Sequence, residues 1–134
     1  MLSYMITYRG GNILEWQVEY YKQENGNIPV LEFLLTLSPK IRAKTFSEIE
    51  LLNKHGNKLR EPYVKPVKGD KYSGIFELRT KFASDITRIF YFTWSNNTFV
   101  VLNGFAKKTE KTPKRELDRA LVYKKDYERR CKDE

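Results

Sequence analysis

Residues 13–21 alternate loosely between apolar and polar types and are rich in aromatic and β-branched side chains. They lie between Gly10-Gly11-Asn12 and Asn25-Gly26-Asn27, which predicts a first strand. Pro29 suits the first turn of a helix, and Val30, Leu31, Leu34 and Leu37 follow at helical spacing until Ser38-Pro39 interrupts them. Ser38 then offers an N-cap oxygen with Pro39 next to it. Ala43, Phe46, Ile49 and Leu52 recur every three residues up to a left-handed stop at Gly56, so a second helix is expected to end near His55. No period persists from 57 to 73, where Pro62, Pro66 and Gly69 mark a connecting loop with room for an extended piece around 63–67. Three strand-like runs follow, 74–82, 86–94 and 98–106, with Ser95-Asn96-Asn97 as a hairpin turn, and they predict an antiparallel meander. Thr112 can cap a last helix beginning at Pro113, with Leu117, Ala120, Leu121 and Tyr127 on one side and basic residues around the rest.

The order β, α, α, β, β, β, α predicts an α+β fold: a central antiparallel sheet, the two N-terminal helices packed on one face, and a C-terminal basic helix. The second face of the sheet is then expected to be open for function. With 134 residues, 40% hydrophobic and 31% charged, the chain is expected to form a single domain over 1–134 with enough apolar side chain for a core. The start lacks the unbroken apolar run of a secretory signal, and no stretch approaches the roughly 18 apolar residues that span a bilayer, so a cytoplasmic protein is expected. The lone Cys131 allows neither a disulfide framework nor a thiolate metal site within one chain.

Charge sharpens the picture. The formal net charge is +8, and between 107 and 132 eleven Lys/Arg face five Asp/Glu, which leaves +6 at one end. Such an excess favours a polyanionic partner, nucleic acid or an acidic protein surface, although a solvated helix face would look the same. Within 75–81 the alternation of a strand sends Glu77, Arg79 and Lys81 to one face and Phe76 and Leu78, with Phe82, to the other. An acid between cations can take a proton while the cations hold a phosphate; the alternative is an ordinary solvated face with weak ion pairs. Arg88 interrupts a strand otherwise almost free of charge, so it either pairs with Glu77 as a structural salt bridge or grips a phosphate with its planar guanidinium. Lys107 and Lys108 stand where the last strand runs out, followed by Lys111, Lys114 and Arg115 at the helix start, where a phosphate could dock. Tyr91, Tyr123 and Tyr127 could stack on bases or simply pack, and His55 suits the end of its helix. No His/Cys cluster, Gly-rich phosphate loop, Ser-His-Asp set or paired metal carboxylates can be assembled, which points away from the corresponding hydrolase, kinase and zinc chemistries.

The segments Gly74-Ile75-Phe76-Glu77-Leu78-Arg79, Ile86-Thr87-Arg88-Ile89-Phe90-Tyr91 and Gly104-Phe105-Ala106-Lys107-Lys108-Thr109-Glu110-Lys111-Thr112-Pro113 together resemble the phage-related HigB branch of the RelE/ParE toxin superfamily. The likeness runs over roughly 65–130, and its most specific part is the last segment. The resemblance implies a RelE-like fold and ribosome-dependent cleavage of messenger RNA by attack of the ribose 2′-hydroxyl on its own phosphate, with no metal or other cofactor. It makes Arg79 and Arg88 phosphate clamps, Lys107 and Lys108 the basic strand end, and Glu77 the candidate base, with Lys108 or a tyrosine as acid. Cations beside a carboxylate weaken it as a proton acceptor unless substrate binding dries the site. Lys81, Tyr91, Lys111, Lys114 and Arg115 are the expected RNA contacts. The implied partners are the ribosome with its messenger RNA and a neutralising antitoxin, often carrying a helix-turn-helix part, in a heteromeric complex. Two other classes stay open: a ParE-like toxin that inhibits a protein such as DNA gyrase without catalysis, and a basic nucleic-acid-binding module.

Overall fold

The computed structural model describes residues 5–6, 16–56, 63–95, 97–107 and 112–132, with backbone alone at 5–6 and 107. In chain order its elements are β1 (Met5–Ile6), β2 (Gln17–Tyr20), α1 (Pro29–Leu35), α2 (Pro39–His55), β3 (Val64–Pro66), a 3₁₀ turn (Asp70–Tyr72), β4 (Ile75–Phe82), β5 (Asp85–Trp94), β6 (Thr98–Lys107) and α3 (Lys114–Lys132). The predicted first strand is present as β2, shorter than expected, and its residues 13–15 lie outside the described residues. The extended piece in the connecting loop is β3.

The sheet runs β1-β2-β6-β5-β4-β3. From β3 to β6 every pairing is antiparallel, as the alternation predicts. The sheet as a whole is mixed, because β2 joins β6 in parallel, Gln17 opposite Thr98 and Tyr20 opposite Val101. A parallel return needs a crossover, and α1 and α2 form part of the chain between β2 and the meander.

Each face of the sheet carries its own core. On one side Val30 and Leu34 of α1 and Ile49 and Leu52 of α2 are buried against Val18, Tyr20, Leu78, Ile89, Tyr91, Phe99 and Val101. Gly104 lets α1 approach closely: a Cβ there would lie 2.6 Å from Ile89 and 2.8 Å from Phe33. The buried stripe of α2 uses Thr45, not the expected Ala43, which is exposed. The Thr45 hydroxyl satisfies its polarity on the Ile41 carbonyl and on Thr87 across the interface. Ser38 stands at the N-cap position without a side-chain capping bond, and Gly56 ends the helix at φ +55° beneath the Trp16 ring, where a Cβ would meet side-chain atoms at 2.0 Å.

The second face is not open. Ala120 and Tyr127 of α3, flanked by Leu117, Leu121 and Tyr123, cover Tyr21, Ile75, Phe90, Phe92, Val100 and Leu102. The amphipathic stripe that predicts α3 needs an apolar surface to bury, and this face supplies it. Buried polar contacts hold the helix down: Tyr127 donates to the buried Glu19 carboxylate, and Tyr21 donates to Asp126 at 2.6 Å. A bulge where Phe90 pairs with Asn103 and Tyr91 with Val101 leaves Leu102 as the extra residue, and Asn103 beyond it donates to the Glu116 carbonyl on α3. Among the described residues, a cavity on this side is lined by Glu77, Arg88, Thr112 and Leu117 near the start of α3. No helix among the described residues is long and apolar enough to cross a membrane.

Candidate active site

Residues that pair across an antiparallel ladder share a face, and the register therefore decides which charged groups meet. Glu77 pairs with Phe90 and Arg79 with Arg88, so Glu77 and Arg88 are diagonal neighbours on the α3 side. They make the ion pair that the sequence left as one of two options. Arg88 Nη1 donates to Glu77 Oε1 and Oε2, each at 3.1 Å, with side chains only 3% and 8% exposed. A third contact runs from Arg88 Nη1 to the Thr112 hydroxyl at 3.5 Å, which ties the pair to the segment leading into α3.

The pair lines a cavity of about 480 Å³ together with Thr112, Leu117 and the 65–68 segment. An ion pair withdrawn from water gains little net stability, because losing hydration offsets most of the attraction. Its burial beside an open cavity therefore suits a site, where a preset charge can meet a ligand without reorganising. The register adds a second feature: two guanidinium-bearing residues, Arg79 and Arg88, stand directly opposite each other on one face. Like charges in that position repel, so the arrangement is best satisfied by an anion nearby, and Glu77 is one such anion.

The other expected site residues divide. Arg79 is half-buried beside Arg88, and its backbone N–H donates to the Tyr63 carbonyl at 2.8 Å, which fixes β4 against the end of the connecting loop. Lys81, two residues further along the same face of β4, is exposed and does not line the cavity. The backbone of Lys107 pairs with Ile86 at the end of β6; Lys108 and Lys111 lie outside the described residues. Lys114 is held by Asp118 at 3.0 Å, and Arg115 is an exposed side chain 3.7 Å from Glu116. Asp118 also accepts from the Tyr72 hydroxyl at 2.6 Å and from Lys71 at 3.2 Å. The Tyr72 and Lys114 contacts hold its carboxyl well below the usual carboxylate range.

Tyr91 is not with the others, which corrects its expected role as an RNA contact. It points to the α1/α2 side, is 4% exposed, stacks on Phe76 and meets Phe99 edge-on, and burial pushes its hydroxyl pKa up. A ring closed in that core has no surface to offer a base. Tyr127 and Tyr123 likewise pack from α3 onto the sheet, against Phe92 and Tyr21. Conversely, sequence reading missed Lys65 and Lys68, which line the cavity from β3 and the turn after it; their only signal was two lysines in an aperiodic segment facing the E-L-R strand. Among the described residues no group of three or more His, Cys, Asp and Glu side chains gathers as metal donors would.

Fold and site together define a small α+β domain with a buried carboxylate–guanidinium pair lining a cationic cavity. Residues 32–125 match the family model described as "Phage derived protein Gp49-like (DUF891)", and the chain belongs to that family, which is of the RelE/HigB toxin type. It is also similar to the "Probable endoribonuclease HigB1" of two strains of Mycobacterium tuberculosis, CDC 1551 / Oshkosh and ATCC 25618 / H37Rv. Identity is 36% over 66 residues, covering 49% of this chain and 49% of each relative. The chain thus spans about half the length of the curated relatives it matches.

Proposed function

We propose that this protein is the toxin of a toxin–antitoxin pair and an endoribonuclease that cuts messenger RNA during translation, with the Glu77–Arg88 cavity as its active site. The observation that carries the reading is the pair itself: a carboxylate and a guanidinium, both buried, face an open cavity with further cations around it. The family and the name of the mycobacterial relatives point the same way.

Cleavage by this site needs two things from the protein. The ribose 2′-hydroxyl must lose its proton as it attacks the neighbouring phosphorus, and Glu77, which lines the cavity, is the candidate acceptor. Negative charge grows on the non-bridging oxygens as the phosphorane forms, and Arg88, already oriented by Glu77, offsets that charge, with Arg79 opposite it in the ladder as a second cation. The 5′-oxygen then leaves with a proton, and the products are a 2′,3′-cyclic phosphate and a free 5′-hydroxyl. The leaving-group proton is assigned to Lys108 or a tyrosine, the candidate acids of the sequence; Lys108 lies outside the described residues. A guanidinium held by a carboxylate keeps its charge and orientation before substrate arrives, which is the advantage of the buried pair over two mobile surface cations.

An antitoxin with acidic residues would neutralise the protein by covering this cationic end, and a cytoplasmic location follows from a ribosomal substrate. The test is induction of the wild type and of Glu77→Gln in a bacterium lacking the antitoxin, with transcript ends mapped. Growth arrest with new 5′-hydroxyl ends from the wild type, and continued growth with intact transcripts from a folded Gln variant, is the expected result. Arrest with transcripts uncut would overturn it and move the target to a protein such as DNA gyrase.

A further inference from the structure

We propose that Lys65 and Lys68 form a second phosphate subsite, which holds a phosphodiester flanking the one that is cut, so that the cavity takes at least two consecutive linkages of single-stranded RNA. The inference rests on the reading of the cavity as an RNA site and goes beyond it by assigning a separate binding role to residues outside the Glu77–Arg88 pair.

The positive charges around the cavity are sorted by what they touch. Arg88 is paired with Glu77, and Lys71 and Lys114 share Asp118. Lys65 and Lys68 line the same cavity, and neither has an ion-pair partner among the described residues. Lys65 stands directly opposite Glu77 in the β3–β4 ladder, about 4.8 Å away as adjacent strands lie, yet the Glu77 carboxylate turns to Arg88. Its ammonium is thus left facing the cavity beside a charge that is already balanced. Lys68 lies three residues on, past Pro66 and Val67, which line the wall between them without any charge.

Size supports two linkages instead of one. The cavity, about 480 Å³ and open on one side, leaves room for a phosphate beside the one held at Glu77 and Arg88. Charge without an ion-pair partner among the described residues, half-buried at Lys65 and exposed at Lys68, adds affinity beside the scissile phosphate. Phosphate contacts of this kind position a strand and carry no base information. Lys65 and Lys68 are therefore binding residues, and their loss should weaken association and leave the chemistry of bound RNA intact.

The test uses the full chain and 2′-O-methyl oligoribonucleotides, which cannot be cut, carrying one or two phosphodiesters, with affinity read by fluorescence anisotropy at several salt concentrations. For the wild type the second phosphodiester should tighten binding about tenfold. Lys65→Ala with Lys68→Ala should abolish that gain and lower the slope of log affinity against log salt by about 0.7 per lost phosphate contact. Lys54→Ala, which removes one charge from the exposed face of α2, should keep the gain. A wild type that gains nothing from the second linkage, or a double variant that gains as much as the wild type, overturns the subsite. Transcript cleavage is scored separately. A wild type that shows the gain but does not cut refutes the nuclease reading alone, and a wild type that cuts without showing the gain refutes the subsite alone.

Discussion

Replacing Arg88 by Met strips the charge and leaves a side chain of similar length, so the perturbation is largely electrostatic. In the wild type both partners are nearly sealed, with side-chain exposures of 3% and 8%. Removing one member of such a pair strands the other in a medium that solvates it poorly, and the usual loss is about 3–5 kcal/mol. Glu77 borders the cavity, which lets water approach one side of its carboxylate, so the lower end of that range applies. For a domain of this length about 3 kcal/mol corresponds to a fall in Tm of roughly 10 °C. The companion Glu77→Leu, Arg88→Met removes both charges and should return to within about 1 kcal/mol of the wild type. Urea denaturation followed by circular dichroism at pH 7 on the wild type, Glu77→Leu, Arg88→Met and the double variant closes the cycle. An Arg88→Met variant within about 0.5 kcal/mol of the wild type, or a double variant as unstable as the sum of its single changes, would refute the claim that the pair is buried and mutually dependent.

Other expectations are open to direct measurement. Stability should be flat from about pH 5 to 9. Hydrogen bonds from Tyr72 and Lys114 lower the carboxyl pKa of Asp118, and at Asp126 those from Tyr21, Arg130 and Arg129 outweigh burial; both contributions are present above the unfolded value of 3.8 and are lost as pH falls below it. Burial raises the tyrosines 21, 91 and 127 above the ordinary value of 10.0, so their contribution is present below pH 10 and is lost as pH rises beyond it. Melting temperatures across pH check both limbs, and a stability maximum at pH 10 or above would contradict them. Gly104→Ala should destabilise by about 1–3 kcal/mol in urea unfolding, because its Cβ would press into Ile89 and Phe33 and the Arg88 carbonyl lies 3.0 Å away. Tyr91→Phe should cut RNA at the wild-type rate, since the ring faces the α1/α2 core; a tenfold loss of cleavage in a folded Phe variant would restore Tyr91 to the site.

Much of this architecture was legible in the chain because most of its elements bury one side. Helical spacing after Pro29 located α1, recurrence every three residues located α2, and the stripe of Leu117, Ala120, Leu121 and Tyr127 located α3. Alternation at 75–82 correctly parted Glu77 and Arg79 from Phe76 and Leu78. The same rule fails in β5, where Ile89, Phe90, Tyr91 and Phe92 are all buried and no polar contrast marks the two faces. Tyr91 and Arg88 differ by an odd number of positions and so point opposite ways, and only the register shows that this separates them functionally. Covering of the second sheet face by α3 was equally hidden, because a stripe says that a helix packs and not where. Lys65 and Lys68 come from a segment with no period at all, and only the three-residue ladder of β3 with β4 brings them to the cavity.

In the proposed mechanism Arg88 stabilises charge on the scissile phosphate. Single-turnover cleavage of a defined message on translating ribosomes, comparing wild type with Arg88→Lys at saturating protein, tests it most directly. Lysine keeps a cation beside Glu77 but lacks the planar, multi-donor guanidinium. The rate should drop about a hundredfold or more while the fold is retained. A folded Lys variant that cuts as fast as the wild type would contradict the assignment.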